Sequence, residues 1–444
     1  MAARFLFMKN YILFIILSCM SAFTSKAAHI VLSDSLIGSK AYPATVHHFQ
    51  ISVPDSYTGS EPAALYLGLD GILCDAPAVI DSLMRSGDMP LAIGVYLQPG
   101  VVADSEGTVL RYNRSNEFDA TDSRFADFLA SELFPYISTL STPDGRPIRL
   151  SDDPEKRCIF GLSSGGIAAF TAAWHRPDLF GKVFSGCGTF VPMRGGNELQ
   201  AIVRKHEPKP LRIFLQDGYE DTWNPLFGSW YEANRMLASA LEFAGYDCAF
   251  DWAEGAHSVR RATEIFPNVM RWIWRTDSAV APTSNNFLRP LLESSGDWQL
   301  LHSVPDNVVF SESYAVYPDS TLCVLTEPST NYLTQCLLGK EGNKYACQRF
   351  YWLHSYDNSD AGVSSMAFDS VGNLWVVTKA GIQICDQNGR VRGILSVPRD
   401  ACNSKLSISD GIVYLQTHDG RYYSRKLNVV PARPGIRPSS QGQG

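Results

Sequence analysis

Short apolar segments alternate with helical patterns over residues 45–275, and this alternation constrains the fold more than any other feature of the chain. Neighbouring parallel strands need a long crossover connection, which is usually a helix. Strands that are buried on both faces are apolar throughout. The alternation therefore predicts an α/β fold, a mostly parallel sheet with helices on both faces. The predicted strands are 48–53, 64–69, 91–97, 157–162, 182–187, 211–216 and 248–253, and the predicted helices are 122–139, 164–176, 229–244 and 262–274.

The pattern changes after this first domain, which we predict to span residues 29–275. Residues 276–296 are small, polar and proline-containing, and are typical of a linker. Residues 297–430 contain short β segments separated by Asp-Gly, Asn-Gly and Asp-Ser turns, which predict an antiparallel all-β domain. The composition of residues 431–444 predicts a disordered tail.

The N-terminus has the pattern of an export signal. Arg4 and Lys9 precede an apolar run at 11–20, and small residues follow it. This pattern predicts a secretory signal peptide over residues 1–28 and a secreted or periplasmic protein. The alternative is a lipid anchor at Cys19, although the residues before it match the lipid-attachment motif imperfectly. No apolar run is long enough to predict a transmembrane segment.

Charge and cysteine spacing exclude several classes of site. The net charge is -7 and no basic cluster is present, so no nucleic-acid partner is predicted. The 10 cysteines are scattered, without metal-ligand spacing, so we predict neither a metal site nor a cofactor. Buried free thiols are the expectation, and a disulfide between Cys336 and Cys347 is an open alternative. The sequence does not indicate an oligomeric state.

The segment from Gly161 to Gly165 reads Gly-x-Ser-x-Gly and lies between a predicted strand and a predicted helix. In a nucleophile elbow the serine occupies a tight strand-to-helix turn, and the glycines leave room for the neighbouring backbone. The pattern predicts Ser163 as a nucleophile. The alternative is a glycine-rich loop without a catalytic role.

A serine nucleophile needs a general base and a carboxylate that orients the base. After a nucleophile elbow the chain order is serine, acid and histidine, and each lies just after a strand. Of the nine histidines, His257 meets this order and directly follows a predicted strand. Three carboxylates follow the strand 211–216, and we favour Asp221 because it lies further into the loop, with Asp217 second.

An oxyanion hole needs two backbone N–H groups. One should come from Ser164, the residue after the nucleophile at the start of its helix. The loop after the strand 64–69 offers the second, and we favour the N–H of Ile72. Each such donor contributes a factor of about 10²–10³ to the rate.

Six ordered motifs, which span about half of the chain, carry a family resemblance: LGLDG, RYNRSNEFD, IFGLSSGG, LQDGYED, WYEANRMLASALEFAGYD and WAEGAHS. They resemble the secreted α/β-hydrolase family that includes feruloyl esterases, esterase D and enterochelin esterases. In that family the acid is the last aspartate of the DGxxD-like loop, here Asp221. The base is the histidine of the GxH loop, here His257. The resemblance therefore implies a serine esterase with an α/β-hydrolase fold.

The same resemblance implies which side chains face the substrate. It places the segment RYNRSNEFD at the cleft, with Arg114 and Glu117 toward the substrate. The alternative is an Arg–carboxylate network that braces a loop. Trp223 and Trp230 follow the acid loop, and either could stack on a sugar or phenolic ring. We predict Trp223 as the substrate-binding residue, and core packing is the alternative for both.

The C-terminal region resembles a gluconolactonase/regucalcin-like β-propeller, most closely over residues 364–395. Those propellers hold a divalent metal through Glu, Asn and Asp side chains. Here Ser364 and Ser365 stand where an acidic residue is usual, and Glu312 has no convincing partner ligands. We therefore expect a shortened, partial-propeller-like domain without metal or lactonase activity, which packs on the esterase domain or binds glycan.

Together the residues and the resemblance imply a secreted serine carboxylic-ester hydrolase that works through an acyl-enzyme and needs no cofactor. The substrate that the resemblance implies is a feruloyl or acetyl ester of a carbohydrate. Three alternatives stay open: an esterase of trilactone siderophores, a metal-dependent lactonase centred on the β domain, and a non-catalytic glycan-binding protein.

Overall fold

The computed structural model describes residues 29–277, 287–293, 296–357 and 359–432. The predicted signal peptide with Cys19, much of the predicted linker and nearly all of the predicted tail lie outside the described residues. In the described ranges, no helix has both the length and the apolar character that a membrane crossing requires.

The first part of the chain is built on one ten-stranded mixed sheet. Its strands, together with the short hairpin β10–β11, are β1 (His29–Ile37), β2 (Val46–Pro54), β3 (Ala64–Leu69), β4 (Ala92–Leu97), β5 (Val101–Ala103), β6 (Val109–Tyr112), β7 (Arg157–Leu162), β8 (Lys182–Gly186), β9 (Arg212–Gly218), β10 (Trp223–Asn224), β11 (Gly228–Ser229) and β12 (Asp247–Ala253). The order is β12-β9-β8-β7-β3-β4-β2-β5-β6, with β1 paired to β2. The strands from β12 to β4 are parallel, and the remaining pairs are antiparallel.

Helices cover both faces of this sheet. They are α1 (Ala76–Ser86), α2 (Arg114–Phe118), α3 (Arg124–Phe128), a π-helical turn (Leu129–Leu133), α4 (Phe134–Ile137), α5 (Ser164–His175), α6 (Glu198–Lys205), α7 (Trp230–Ala244) and α8 (Val259–Ile273), with a 3₁₀ turn at Pro154–Lys156. Alternate residues of β3 belong to different buried clusters: Leu65 packs in the cluster that contains Trp174, and Tyr66 in the cluster that contains Phe266. The predicted α/β class is confirmed.

The C-terminal region is all-β, as predicted. Within the described residues it contains three four-stranded antiparallel sheets: β13-β24-β23-β22, β14-β15-β16-β17 and β18-β19-β20-β21. These strands are β13 (Gln299–Leu301), β14 (Tyr314–Val316), β15 (Leu322–Thr326), β16 (Tyr332–Leu338), β17 (Lys344–Trp352), β18 (Ser365–Phe368), β19 (Leu374–Thr378), β20 (Gly381–Cys385), β21 (Val391–Leu395), β22 (Lys405–Ser409), β23 (Ile412–Gln416) and β24 (Tyr422–Lys426), with a 3₁₀ turn at Arg399–Ala401. The first strand of the region thus completes its last sheet, and a disulfide between Cys336 and Cys347 joins β16 to β17.

The C-terminal region contacts the C-terminal end of helix α5. Trp174 Nε1 donates to the hydroxyl of Tyr356 at 3.0 Å, and the rings of His175 and Tyr356 lie 4.5 Å apart. Ser163 precedes the opposite end of this 12-residue helix. Since a helix rises 1.5 Å per residue, this contact lies about 18 Å from Ser163 along the helix axis.

Candidate active site

Ser163 occupies the turn between β7 and α5 with φ 58° and ψ -121°, a backbone conformation that L-residues rarely adopt. The two flanking glycines are required by close contacts. A Cβ on Gly161 would lie 2.2 Å from the carbonyl oxygen of Gly165, and a Cβ on Gly165 would lie 2.9 Å from Asp70 Oδ2. The Gly-x-Ser-x-Gly segment therefore forms the sharp strand-to-helix turn that raises a serine hydroxyl above the sheet.

The structure brings Ser163, His257 and Asp221 together in one hydrogen-bonded chain. The Oγ of Ser163 lies 2.8 Å from Nε2 of His257, and Nδ1 of His257 lies 2.6 Å from Oδ1 of Asp221. The three residues follow β7, β12 and β9, and parallel strands present their carboxyl ends at the same edge of the sheet. This geometry is the one that general-base activation of a serine hydroxyl needs.

The carboxylate of Asp221 is buried beside a partly exposed imidazole. Its side chain is 0% exposed, whereas that of His257 is 29% exposed. Burial works to raise the pKa of Asp221, but hydrogen bonds with His257 and Asp217 hold the pKa below its ordinary value. Asp221 therefore stays ionised and favours the tautomer of His257 that carries its proton on Nδ1, which leaves Nε2 free to accept from Ser163.

Asp217, the second candidate for the acid, lies behind Asp221. Its Oδ1 accepts the N–H of Gly218 at 2.7 Å, and its Oδ2 accepts from Asn234 Nδ2 at 2.8 Å. Burial raises the pKa of Asp217 to about 9, and the neighbouring Asp221 carboxylate adds to this rise. The residue that reaches His257 is thus Asp221, and Asp217 supports it from the end of β9.

The loop after β3 carries the predicted oxyanion donor Ile72. Two left-handed residues precede it, Asp70 with φ 64° and Gly71 with φ 83°, and the Gly71 N–H donates to the carbonyl of Leu97 at 3.1 Å. A side chain at Gly71 would be strained by its φ of 83°, so this tight turn favours glycine. Ile72 is 37% exposed at the surface. Its N–H remains our predicted donor.

Ser164, the other predicted oxyanion donor, is the first residue of α5. The N–H groups of a first helical turn have no acceptor within the helix, and the helix dipole places partial positive charge at this end. Both properties favour an oxyanion next to Ser163.

Arg114 forms an ion pair with Asp70, the residue that leads into the Ile72 loop. Its Nε lies 2.6 Å from Asp70 Oδ1 and its Nη2 lies 2.8 Å from Asp70 Oδ2. The same Nη2 lies 3.4 Å from the carbonyl oxygen of Leu162, at the end of β7. These contacts correspond to the bracing alternative for this segment. The predicted contact of Arg114 with substrate stays a prediction, since its side chain is 36% exposed.

The structure corrects the prediction that Glu117 faces the substrate. Its side chain is 0% exposed. Oε1 accepts from Asn113 Nδ2 at 2.6 Å and contacts His47 Nε2 at 3.0 Å, and Oε2 accepts the N–H of Gly100 at 3.0 Å. The short helix α2 turns this carboxylate inward, where it joins Asn113, His47 and Gly100 and is closed off from solvent.

The two tryptophans near the acid loop have different environments. Trp223 on β10 is 70% exposed and remains our predicted substrate residue. Trp230 is buried, with its ring edge-on to His257 at 6.3 Å and its Nε1 3.3 Å from Thr189 Oγ1. Thr189 Oγ1 in turn lies 3.5 Å from Ser163 Oγ. Sequence reasoning missed Thr189, whose one signal is its position just after the parallel strand β8.

One group of side chains in the described part of the chain has the spacing of a metal site. The donor atoms of Cys187, Asp221 and His257 all lie within 4.8 Å of one another. Asp221 and His257 are hydrogen-bonded to each other, and burial raises the pKa of the Cys187 thiol. A cation here would have to displace the thiol proton of Cys187 and break the hydrogen bond between His257 and Asp221. Metal binding and the hydrogen-bonded chain to Ser163 therefore exclude each other at this place. In the β region, Glu312 pairs with Lys405 at 2.6 Å.

One family model and several solved structures resemble the first part of the chain. The model of the Esterase family matches residues 41–273. A ferulic acid esterase structure is 18% identical with a TM-score of 0.43, over 56% of this chain and 99% of that chain. An enterobactin esterase from Shigella flexneri is 21% identical with a TM-score of 0.41, over 55% of this chain and 59% of that chain. An S-formylglutathione hydrolase from Staphylococcus aureus is 12% identical with a TM-score of 0.39, over 56% of this chain and 98% of that chain.

The chain thus spans 59% of the length of that enterobactin esterase. No curated protein sequence matches the chain. The family match covers more than half of the chain, ends at the last residue of α8 and includes Ser163, Asp221 and His257. The chain therefore belongs to the Esterase family.

Proposed function

We propose that this esterase is a serine carboxylic-ester hydrolase in which Ser163 is the nucleophile, His257 the general base and Asp221 the acid that orients His257. The observation that carries the proposal is the unbroken chain of two hydrogen bonds, 2.8 Å from Ser163 to His257 and 2.6 Å from His257 to Asp221. Residues 29–275 would form the catalytic domain and residues 297–430 a separate β domain.

In the proposed reaction Ser163 Oγ attacks the ester carbonyl and its proton passes to His257 Nε2. The N–H groups of Ile72 and Ser164 would stabilise the oxyanion. Collapse of the tetrahedral intermediate breaks the ester C–O bond, and His257 gives its proton to the leaving alcohol. Water then attacks the acyl-enzyme with the same base, which releases the carboxylic acid and restores Ser163.

For the substrate we propose feruloyl or acetyl esters of carbohydrate, acted on outside the cytoplasm after export by the predicted signal peptide. The motif resemblance supports this class. A cluster of exposed apolar side chains on the acid loop supports it as well, since aromatic faces stack on sugar and phenolic rings. The cluster consists of Tyr219, Trp223 and Leu226, which are 54%, 70% and 80% exposed.

The test is hydrolysis of p-nitrophenyl acetate by the wild-type protein and by Ser163→Ala, each with and without EDTA. The proposal predicts turnover that EDTA does not change and that the variant loses. Activity that survives Ser163→Ala but falls with EDTA would favour the lactonase alternative and contradict the proposal. A second panel of methyl ferulate, acetylated xylan and a trilactone siderophore would then rank the substrate classes by kcat/KM.

A further inference from the structure

One oxygen of the Asp221 carboxylate is buried without a partner. Its Oδ1 receives hydrogen bonds from His257 Nδ1 and from the Thr222 N–H. Its Oδ2 has no hydrogen-bond donor among the N–H and side-chain groups of the described residues, although solvent does not reach it. A buried ionised oxygen without a donor is costly and rare in proteins. We therefore expect a neighbouring group to donate a hydrogen bond to Asp221 Oδ2.

A turn in which the Asp221 N–H donates to the carbonyl of Gly218 at 3.1 Å brings Asp221 back beside Asp217. A hydrogen bond between the two carboxyls contributes to the raised pKa of Asp217. Asp217 is itself fully buried, and Asn234 holds it in place. The Nδ2 of Asn234 lies 2.8 Å from Asp217 Oδ2, 2.8 Å from Gly188 O and 3.0 Å from Trp230 O, and its two hydrogens are shared among these acceptors. Because three acceptors surround this nitrogen, the amide cannot flip to offer an oxygen to Asp217.

The groups that face the two carboxyls supply no compensating cation other than the histidine. Cys187 faces them from the loop after β8, and burial raises the pKa of its thiol, which keeps it neutral. Asn234 faces them from α7 and His257 from the loop before α8. Asp221 pairs with His257, and Asp217 accepts from the neutral N–H groups of Gly218 and Asn234. Two ionised carboxylates that lie side by side in a buried environment repel each other, and a single shared proton removes the repulsion.

We propose that Asp217 is a positioning residue whose carboxyl keeps its proton in the resting enzyme and donates it in a hydrogen bond to Asp221 Oδ2; this inference rests on the proposed serine esterase. Asp221 is then held at both oxygens and cannot rotate away from His257. The pair carries one negative charge rather than two. Burial and the Asp221 carboxylate raise the pKa of Asp217 to about 9, in agreement with this proton.

The first experiment compares Asp217→Asn with Asp217→Leu, and uses Glu220→Gln as a matched control because Glu220 is exposed on the same loop. The amide of the Asn variant can still donate to Asp221 Oδ2, whereas leucine cannot. We expect Asp217→Asn and the control to keep a wild-type kcat near neutral pH. We expect Asp217→Leu to lose about 10- to 100-fold in kcat with little change in KM, as for one hydrogen bond to a charged group. Equal kcat values for the Asn and Leu variants would overturn the proposal.

The pH profile of kcat/KM separates a protonated Asp217 from an ionised one. A negative charge near an imidazole raises the pKa of the imidazole. If Asp217 were ionised at neutral pH, Asp217→Asn would remove that charge, and the acidic limb that reports His257 would move to lower pH. The proposal predicts an unmoved acidic limb. It also predicts a fall above about pH 9 in the wild type, where Asp217 ionises, that Asp217→Asn lacks.

A readout that needs no turnover keeps this inference distinct from the proposed function. The infrared difference spectrum between Ser163→Ala and the double variant Ser163→Ala, Asp217→Asn at pH 7 should contain the C=O band of a protonated carboxylic acid. If this band is present but the wild-type protein has no esterase activity, the serine esterase is refuted and the proton on Asp217 is still supported. If the difference spectrum contains carboxylate bands alone and the wild-type activity depends on Ser163, the shared proton is overturned and the serine esterase stands.

Discussion

The guanidinium of Arg114 donates two hydrogen bonds to the carboxylate of Asp70, at 2.6 Å and 2.8 Å. This planar two-point contact ties α2 to the loop that carries Ile72. Asp70 also lies against Gly165, where a Cβ would be 2.9 Å from Asp70 Oδ2. The pair therefore connects the predicted oxyanion donor to the turn that presents Ser163.

We predict that Arg114→Met lowers kcat about tenfold and leaves KM nearly unchanged, because the Ile72 loop loses its brace while the substrate contacts stay. Steady-state kinetics with p-nitrophenyl acetate and methyl ferulate measure both constants. Arg260→Met is the matched control, since that arginine is 87% exposed. A rise in KM with unchanged kcat would instead assign Arg114 to the substrate.

A second prediction concerns Asp221, the acid of the proposed triad. In Asp221→Asn the amide matches the shape of the carboxylate but favours the tautomer of His257 with its proton on Nε2, which cannot accept from Ser163. We expect kcat to fall about 10³- to 10⁴-fold at neutral pH. Glu254→Gln, an exposed position on the histidine loop, should keep wild-type kcat. A loss of only a few-fold in Asp221→Asn would show that another residue orients His257.

The raised pKa of Asp217 has a consequence for stability. Burial raises this pKa to about 9 in the folded protein, whereas an unfolded aspartate titrates near pH 3.9. Between these values the folded state holds a proton that the unfolded state has lost, so this group makes the free energy of unfolding fall as the pH rises. Asp217→Asn removes the titration, so urea unfolding should show it gaining stability over the wild type more at pH 8 than at pH 5. A difference that does not change with pH would contradict this prediction.

A substitution at the contact between the β region and α5 should lower the stability of the protein without changing its kcat. Tyr356→Ala removes a buried ring that contacts Trp174 and His175, and should cost about 3–5 kcal/mol of unfolding free energy. Because this contact lies about 18 Å along α5 from Ser163, kcat at 25 °C should not change. Tyr345→Ala, on the half-exposed face of β17, is the control and should change neither quantity. A lower kcat with unchanged stability would mean that the β region acts on the site.

Much of the parallel core could be predicted because its strands are continuous apolar runs. The predicted strand 157–162 matches β7, and the predicted helix 164–176 matches α5 within one residue. The strand β1 was missed because polar residues interrupt it and its pairing is antiparallel at the sheet edge. Helix α6 was missed because it is only eight residues long, although Leu199, Ile202 and Val203 have the spacing of an amphipathic helix.

Some residues of the candidate site could be predicted from the sequence, and others depend on contacts that only the fold creates. Chain order was enough to select His257, because each partner of a nucleophile elbow follows a parallel strand. It could not separate Asp217 from Asp221, since both follow the predicted strand 211–216 and the difference is which carboxylate reaches the imidazole. Glu117 was misplaced because its partner His47 is 70 residues away in sequence, and a carboxylate is expected at the surface unless such a partner is known.

Mass spectrometry of the protein, quenched in acid during turnover of p-nitrophenyl acetate, detects the acyl-enzyme itself. If Ser163 is the nucleophile, the peptide that contains it should carry an added acetyl group. Fragmentation should assign it to Ser163 rather than to the adjacent Ser164, and the adduct should be absent in Ser163→Ala. An acetyl group on Ser164 or elsewhere, with Ser163 unmodified, would show that Ser163 is not the nucleophile.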